Sequence, residues 1–249
     1  MEVNMKEYIV GTLLILLTTM VSCSAAKSFD TDTIKTADGD LVMTFIGHGT
    51  LMFEYHGNII HIDPVSRYAD YATLPKADLI LLTHQHGDHL DMSAINQIIQ
   101  DDTDIVLTNL CFDQVKKGSV MKNGDSISVR GLPIKAVPSY NLINKRDDGE
   151  PFHPRGMGNG YVITFADINV YIAGDTENIP EMKELDNIDI VFLPMNLPYT
   201  MNPTMVVDAV TMLNPGVLYP YHYGDTDVTE LLNLMKEVPH VEVRIRDLR

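Results

Sequence analysis

The sequence predicts an α/β fold, and two observations support this. Short apolar runs typical of strands alternate along the chain with segments whose apolar residues have helical spacing. The chain of 249 residues is 45% hydrophobic, which is enough to form a sizeable core in one compact domain. We expect this domain to span residues 41–249.

The first half of the chain combines several short strand patterns with one helical pattern. Strands are predicted at 41–46, 50–55, 58–62, 79–82 and 105–107. The pair His56-Gly57 predicts a turn between the second and third of them. A helix is predicted at 92–100, where Asp91 is placed to cap its first turn.

The second half repeats this alternation. Strands are predicted at 126–129, 134–137, 161–165, 170–173, 190–193, 217–221 and 241–245, and helices at 203–213 and 229–236. Alternation of this kind fits several α/β layouts, so it does not determine the number of layers or their order.

The first 26 residues differ in composition from the rest of the chain. Lys6 precedes an apolar stretch, residues 8–21, that is too short for a comfortable membrane span and is typical of a secretory signal peptide. Two cleavage positions fit. Residues 20–23 resemble a bacterial lipoprotein signal, in which Cys23 would become the lipidated first residue, whereas cleavage after Ala26 would release the protein.

The polar segment 27–40 indicates a tether between this leader and the folded domain. We therefore expect an exported protein that is either periplasmic or anchored to the membrane through lipidated Cys23. If Cys23 is lipidated, Cys111 is the only other cysteine, and no disulfide can form within the chain.

The charge balance bears on the class of partner. The formal net charge is -16, with 18 Lys and Arg against 34 Asp and Glu. A nucleic-acid phosphate backbone requires a basic surface, so this balance argues against a nucleic-acid partner and favours a small-molecule substrate. Nothing in the sequence indicates the oligomeric state.

A dense group of potential metal ligands directly follows predicted strand 79–82. His84, His86, Asp88 and His89 lie within six consecutive positions. On an extended backbone, His84 and His86 point the same way and can converge on one cation. Imidazole and carboxylate both favour divalent transition metals, so this pattern favours a metal site over a simple polar loop.

The pattern His84-x-His86-x-Asp88-His89 resembles the signature of the metallo-β-lactamase fold superfamily of hydrolases. The resemblance implies three later ligands: a His, an Asp in a Gly-Asp context, and a second His. His153, Asp175 and His222 occupy these places in that order. Taken singly, each also fits another role, in a solvated loop, a turn and a packed core respectively.

The resemblance also implies an architecture and a cofactor. The architecture is a four-layer αββα sandwich, and the cofactor is a pair of divalent metal ions. One ion would be held by His84, His86 and His153, the other by Asp88, His89 and His222, with Asp175 bridging them. Zinc is the expected metal, with manganese or iron as alternatives, because this ligand set tolerates each of them.

Four further segments are similar to one branch of the superfamily, which contains ascorbate-6-phosphate lactonase and related bacterial zinc-dependent hydrolases. These segments are residues 45–50, 61–65, 137–141 and 152–161. The phospholipase D that acts on N-acyl phosphatidylethanolamines shares the same broad branch. The chain departs from the branch at residues 195–201, where a glycine-containing loop is expected.

Five residues are predicted to take part in catalysis or substrate binding. Asp88 is expected to orient the attacking hydroxide or to pass on its proton, and His48 to bond a ligand or the substrate. Tyr140 and Asn141 are candidate donors to a developing oxyanion. Arg155 is a candidate partner for an anionic substrate.

A second group of residues has candidate supporting roles. Asp63 lies in a family-like motif at a predicted strand end and is a candidate partner for a metal ligand. Lys145 and Arg146 are further basic candidates for an anionic substrate. Met195, Tyr199 and Met201 are candidates for an apolar pocket wall.

These features together predict a metal-dependent hydrolase that uses a metal-activated hydroxide on a small ester, lactone, amide or phosphodiester. One alternative is a phospholipase-like phosphodiesterase on membrane lipids, which a lipoprotein anchor would hold at a lipid surface. A second alternative is a nonenzymatic metal-binding module of the envelope.

Overall fold

The computed structural model describes residues 28–249, whose strands form two seven-stranded sheets. The first sheet contains, in spatial order, β1 (Asp30–Thr36), β2 (Gly39–Gly47), β3 (Thr50–Tyr55), β4 (Asn58–Ile62), β5 (Leu79–Leu81), β6 (Asp104–Leu107) and β7 (Ser119–Val120). The second contains β8 (Ser126–Val129), β9 (Leu132–Ser139), β10 (Gly158–Phe165), β11 (Ile168–Ile172), β12 (Ile190–Pro194), β13 (Val217–Tyr221) and β14 (Glu242–Val243).

Both sheets are mixed and share one plan. Strands β1 to β4 pair antiparallel, whereas β4 to β7 pair in parallel. Likewise, β8 to β11 are antiparallel and β11 to β14 are parallel. The carboxyl ends of β2, β4 and β5 therefore share one edge of the first sheet, and those of β9, β11, β12 and β13 share one edge of the second.

Aromatic side chains from the two sheets form the core between them. Phe45 of β2 lies 5.1 Å, between ring centroids, from Tyr219 of β13. Phe53 of β3 lies 6.0 Å from Phe192 of β12 and 6.2 Å from Phe165 of β10. Because each ring buries a large apolar area, these contacts hold the sheets face to face.

Helices cover the outer face of each sheet. Helices α1 (Met92–Ile98) and α2 (Asn109–Val115) belong to the first half of the chain, and α3 (Pro203–Leu213) and α4 (Val228–Leu234) to the second. Leu79 and Leu81 of β5 face the core between the sheets, whereas Ile80 packs in a separate cluster with residues of α1 and α2. The predicted αββα sandwich is confirmed, and its order is helices, sheet, sheet, helices.

Most predicted elements are present, but β9 and β10 are four and three residues longer than predicted, and several short elements differ. Asp91 caps α1 as predicted, because its carboxylate accepts the backbone N–H of Ser93, but the helix ends at Ile98. The strand predicted at 241–245 is only Glu242–Val243. Helix α2 and strand β7 were not predicted, because seven and two residues are too few to produce a clear apolar period.

The predicted tether at 27–40 is wrong over much of its length. Asp30–Thr36 pair with β2 as the edge strand of the first sheet, so the folded domain begins before residue 41. The strand was not predicted because an edge strand buries few side chains, and its sequence is therefore polar and lacks an apolar pattern. Asp32 links it to the second sheet, since its carboxylate accepts hydrogen bonds from the Tyr219 hydroxyl and from Arg246, the latter at 2.6 Å.

The predicted signal peptide, residues 1–26, and the candidate lipidation site Cys23 lie outside the described residues. Within residues 28–249, no helix combines the length and the apolar character needed to cross a bilayer. Cys111 is buried as a free thiol in the cluster between the first sheet and its helices.

We expect Asp32→Asn to reduce the free energy of unfolding by about 1–3 kcal/mol at pH 7, because the variant loses charge-assisted hydrogen bonds. Burial raises the pKa of Asp32, but the bonds from Arg246 and Tyr219 outweigh it and lower the pKa overall. The stabilisation is therefore present above the ordinary carboxyl pKa of 3.8 and is lost as the pH falls through the lowered value. Urea unfolding at pH 7 and pH 3 measures both effects.

Asp30→Asn is the matched control, because Asp30 lies exposed on the same strand. Its effect should stay within about 0.5 kcal/mol. Equal losses in the two variants, or no loss in Asp32→Asn, would contradict the role assigned to Asp32.

Candidate metal centre

The predicted ligands come together where the carboxyl ends of strands from both sheets meet. His48 follows β2, His84 follows β5 after two residues, Asp175 follows β11 and His222 follows β13. The backbone N–H of His222 donates to the carbonyl of His48 at 3.1 Å and so joins the two sheets at this edge. His153, in the loop before β10, reaches the same edge because β10 runs antiparallel to β11.

His84, His86 and His153 form the first group of donors. Their potential ligand atoms all lie within 4.8 Å of one another. Nε2 of His84 is 3.1 Å from Nδ1 of His86. His84 and His153 are buried, and His86 is partly exposed at the base of a cavity.

His48, Asp88, His89 and His222 form the second group, again with ligand atoms within 4.8 Å of one another. Oδ2 of Asp88 lies 3.5 Å from Nε2 of His48 and 3.6 Å from Nε2 of His222. The rings of His48 and His222 are 3.6 Å apart between centroids. The second group therefore contains the three predicted ligands and, in addition, His48.

Asp175 lies between the two groups. Its Oδ2 is 3.2 Å from Nε2 of His153 and 3.4 Å from Nε2 of His222, and its Oδ1 is 3.3 Å from Nε2 of His89. Burial raises the pKa of Asp175, but His222, His89 and the bond from His153 outweigh it and hold the pKa well below its usual value. Asp175 is thus an ionised carboxylate that contacts both groups, as a bridging ligand must.

The donor set fits bound cations. Nε2 of His89, Oδ1 of Asp175 and both ring nitrogens of His222 are buried and have no hydrogen-bond partner among the described residues. Buried polar atoms are rarely left without partners, and three of these atoms, Nε2 of His89, Oδ1 of Asp175 and Nε2 of His222, belong to residues of two overlapping clusters of possible metal ligands that share His89. Burial lowers the pKa of His84 well below its usual value, so its imidazole is neutral, which is the form that binds a cation.

Three imidazoles are oriented by hydrogen bonds through Nδ1. The Nδ1 atom of His84 donates to the Thr83 hydroxyl at 3.1 Å, and Nδ1 of His153 donates to Oδ1 of Asn141 at 2.9 Å. Nδ1 of His89 donates to Asp63 at 2.7 Å. Each bond keeps Nδ1 protonated and directs Nε2 towards the centre, so a cation bound there would take the place of any proton on Nε2.

Asp63 is the most connected of these supporting residues. Its fully buried carboxylate accepts from His89, from the backbone N–H of Thr83 at 2.8 Å and from the Thr83 hydroxyl at 2.5 Å. Burial lowers the pKa of His89, but Asp175 and Asp63 outweigh it and hold that pKa well above its usual value. The ring of His89 also excludes a side chain at Gly49, where an added Cβ would lie 2.7 Å from Cε1 of His89.

The structure gives Asn141 a different role from the predicted one. Its carbonyl oxygen accepts from the backbone N–H of His153 at 2.7 Å as well as from the ring. Its amide donates to Glu177 and to the carbonyl of Tyr199. Because these bonds occupy the whole side chain, Asn141 positions a ligand and is not a free donor to substrate.

Tyr140 and Arg155 do not line the cavity above the donors. The Tyr140 hydroxyl donates to Glu181 at 3.0 Å. Arg155 pairs with the same carboxylate at 2.5 Å, and its guanidinium lies 5.2 Å from the centre of the Tyr140 ring. The three side chains satisfy one another, so this geometry does not support the predicted contacts of Tyr140 and Arg155 with substrate.

A cavity of about 370 Å³ opens above the donors. Its walls include residues from both groups of donors and four side chains from the surrounding loops. The lining residues are His48, His86, Gly87, Asp88, Arg146, Phe152, His153, Asp175, Asn196, Tyr199 and His222. Met195 and Met201 are fully buried, so only Tyr199 of the three predicted wall residues reaches the cavity.

Phe152 and Asn196 were not predicted as lining residues, although each has a signal in the sequence. Phe152 is the neighbour of the ligand His153, and Asn196 lies in the segment 195–201 that departs from the related hydrolases. Glu177 was also missed. Its buried carboxylate accepts backbone N–H groups from residues 142–144, at 2.7 to 2.9 Å, and so fastens the loop that carries Arg146.

Comparisons with known proteins agree with this geometry. A family model described as the beta-lactamase superfamily domain matches residues 42–222. A UPF0173 metal-dependent hydrolase from Methanopyrus kandleri is 34% identical over 196 residues, which are 73% of this chain and 84% of the relative.

Solved structures are similar as well. A crystal structure described as a metal-dependent hydrolase, from Parabacteroides distasonis, is 50% identical with a TM-score of 0.85, covering 89% of this chain and 100% of the other. Igni18, a metallo hydrolase from Ignicoccus hospitalis, is 22% identical with a TM-score of 0.69. The alignment covers 84% of this chain and 95% of Igni18, and it shows a shared fold.

We expect Asp63→Asn to weaken metal binding by about 10- to 100-fold, because an amide cannot accept all three bonds that hold Thr83 and His89. Competition with a chromophoric chelator measures the affinity. Asp78→Asn is the matched control, since Asp78 bonds the backbone of Ile59 near the opposite end of β5. Similar metal affinities in the two variants would contradict the role of Asp63.

Proposed function

The chain belongs to the beta-lactamase superfamily of metal-dependent hydrolases, and we propose that it hydrolyses a small ester, lactone, amide or phosphodiester with the help of two divalent metal ions. Zinc is the proposed metal, with manganese or iron as alternatives. The substrate is proposed to be a small molecule that enters the cavity above the donors.

One observation carries this proposal. Buried ligand atoms of His89, Asp175 and His222 have no hydrogen-bond partner within residues 28–249, and Asp175 and His222 line a cavity that is open to solvent. A purely structural metal site would have closed coordination, whereas a catalytic site needs an approach for substrate. Here that approach is lined by side chains of both donor groups.

Seven residues would hold the metals. His84, His86 and His153 would bind one ion, Asp88, His89 and His222 the other, and Asp175 would contact both. When bound, such a pair supplies Lewis-acid polarisation of a substrate oxygen and lowers the pKa of water to near neutrality. No serine or cysteine nucleophile is then needed, and the Cys111 thiol lies buried away from the cavity.

Asp88 and His48 are the proposed proton-handling pair. Both line the cavity, and their side chains lie 3.5 Å apart. Asp88 accepts a proton from the attacking water or positions that water, and His48 holds the carboxylate in place or donates to the leaving group. Burial lowers the pKa of His48, although Asp88 opposes this effect, so His48 is neutral at pH 7 and accepts a proton before it can donate one to the leaving group.

A phospholipase-like activity is a second candidate, and one observation favours it. Two loops beside the cavity expose large apolar side chains: Leu142, Ile143, Leu197 and Tyr199 are 45%, 73%, 50% and 45% exposed. Exposed apolar groups of this kind fit a lipid surface. The structure supports a nonenzymatic metal-binding module less well than an enzyme, because such a module would not need an open cavity beside the metal ligands.

We also propose that the protein acts outside the cytoplasm. The support is the sequence of residues 1–26, which has the pattern of a signal peptide. In one of its two cleavage alternatives, lipidated Cys23 would anchor the enzyme to the membrane.

We expect His86→Ala to lose bound metal and to lower kcat/KM more than about 100-fold while the fold is retained, since a metal ion contributes several kcal/mol to transition-state stabilisation. Elemental analysis of the purified protein measures the metal, and circular dichroism measures the fold. His56→Ala, at an exposed turn, serves as the control. Unchanged metal content in His86→Ala would contradict the assignment.

The reaction class can be tested with metal-loaded protein and a panel of esters, lactones, amides, phosphodiesters and phospholipid vesicles. We expect turnover of at least one small substrate, loss of activity with a chelator, and recovery on addition of zinc or manganese. Cleavage of the phospholipid alone would favour the second candidate. A fully metal-loaded protein that is inert across the panel would contradict the enzymatic proposal.

A further inference from the structure

Arg146 differs from most other arginines in this acidic chain. Ion pairs with carboxylates are formed by Arg130, Arg155, Arg244, Arg246 and Arg249. No carboxylate within residues 28–249 lies close enough to Arg146 for an ion pair, although the chain contains 34 acidic residues. Arg146 nevertheless lines the cavity above the donors. Its charge is therefore available to something that enters from solvent.

The backbone of Arg146 is held in a defined position. Its N–H donates to the carbonyl of Glu150 at 2.8 Å, and its carbonyl accepts from Gly149 at 3.0 Å. Its guanidinium donates one bond to the carbonyl of Phe152 at 3.2 Å and lies 5.1 Å from the centre of that ring. A guanidinium has five N–H donors, so most of them remain for a ligand.

The wall beside Arg146 is aromatic. The rings of Phe152 and Tyr199 meet edge to face, with centroids 5.0 Å apart, and both line the cavity. Tyr199 remains 45% exposed, so the contact between the two rings leaves apolar surface open to a ligand. Such a surface binds an apolar or aromatic group, and the cavity volume of about 370 Å³ suits a small molecule.

We propose that the substrate carries two recognition groups beside the bond that is cleaved: a carboxylate or phosphate that pairs with Arg146, and an apolar or aromatic group that contacts Phe152 and Tyr199. The guanidinium binds either anion through two parallel N–H bonds. This inference rests on the proposed hydrolytic function, and it makes Arg146 a residue that determines specificity.

The test compares 3-carboxyphenyl acetate with its methyl ester, 3-(methoxycarbonyl)phenyl acetate, which differs in lacking the negative charge. For the wild type, we expect kcat/KM to be about tenfold higher for the anionic ester, because a charge-assisted pair contributes at least that factor. In Arg146→Gln the ratio of the two kcat/KM values should fall to about one, through a higher KM for the anionic ester. 3-Phosphonooxyphenyl acetate in the same assay distinguishes phosphate from carboxylate.

Arg155→Gln is the matched control, since Arg155 also lies against an aromatic ring but pairs with Glu181 outside the cavity. It should keep the preference for the anion. If Arg146→Gln still prefers the anionic ester, the proposal is overturned, because the metal ions would then be the source of that preference. Equal losses with both esters would overturn it as well.

A binding measurement separates this proposal from the hydrolytic one. Isothermal titration calorimetry measures the affinity of the metal-loaded protein for 3-hydroxybenzoate and for its methyl ester, and this measurement does not depend on turnover. We expect the anion to bind about tenfold more tightly to the wild type but not to Arg146→Gln. If neither acetate ester is hydrolysed, hydrolysis of such esters is contradicted, while the titration still decides the role of Arg146.

Discussion

The desolvated carboxylate of Asp175 is the constraint on which the rest of the site depends. A buried negative charge is costly unless positive charge and hydrogen bonds surround it. Here imidazoles from the loops after β5 and β13 and from the loop before β10 all approach it within 4 Å. Because these loops belong to different sheets, the centre forms only when the two sheets are packed together. The aromatic core between the sheets therefore also holds the ligand geometry.

A second layer of polar side chains orients the converging histidines, so that a defined set of ring nitrogens faces the centre. Asp63, Thr83 and Asn141 each fix the ring of one histidine through Nδ1 and leave Nε2 for a metal. All three lie just beyond strand ends, where the sheet limits backbone motion. This arrangement explains why the histidines keep their orientation even though most of them lie on loops.

The wall of the cavity above the donors depends on a different buried carboxylate, Glu177. It holds residues 142–144 through three backbone N–H groups, and the neighbouring Asn141 bonds the carbonyl of Tyr199. The loop with Arg146 and the loop with Tyr199 are thereby joined to each other and to the segment that carries Asp175. The cavity wall and the candidate metal centre thus share their supports.

The α/β class, nearly all of the longer strands and helices, and the seven ligand candidates could be predicted from the sequence. The class and the elements follow from local apolar period, and four ligand candidates follow from their spacing behind a predicted strand. The other three, His153, Asp175 and His222, follow from the resemblance to a known superfamily. Three features could be seen only in the folded chain: Asp30–Thr36 form an edge strand, Tyr140 and Arg155 face Glu181, and Arg146 and Phe152 face the cavity. The physical reason is that loop and edge residues take their direction from distant partners, such as Tyr219 for Asp32, which no local pattern encodes.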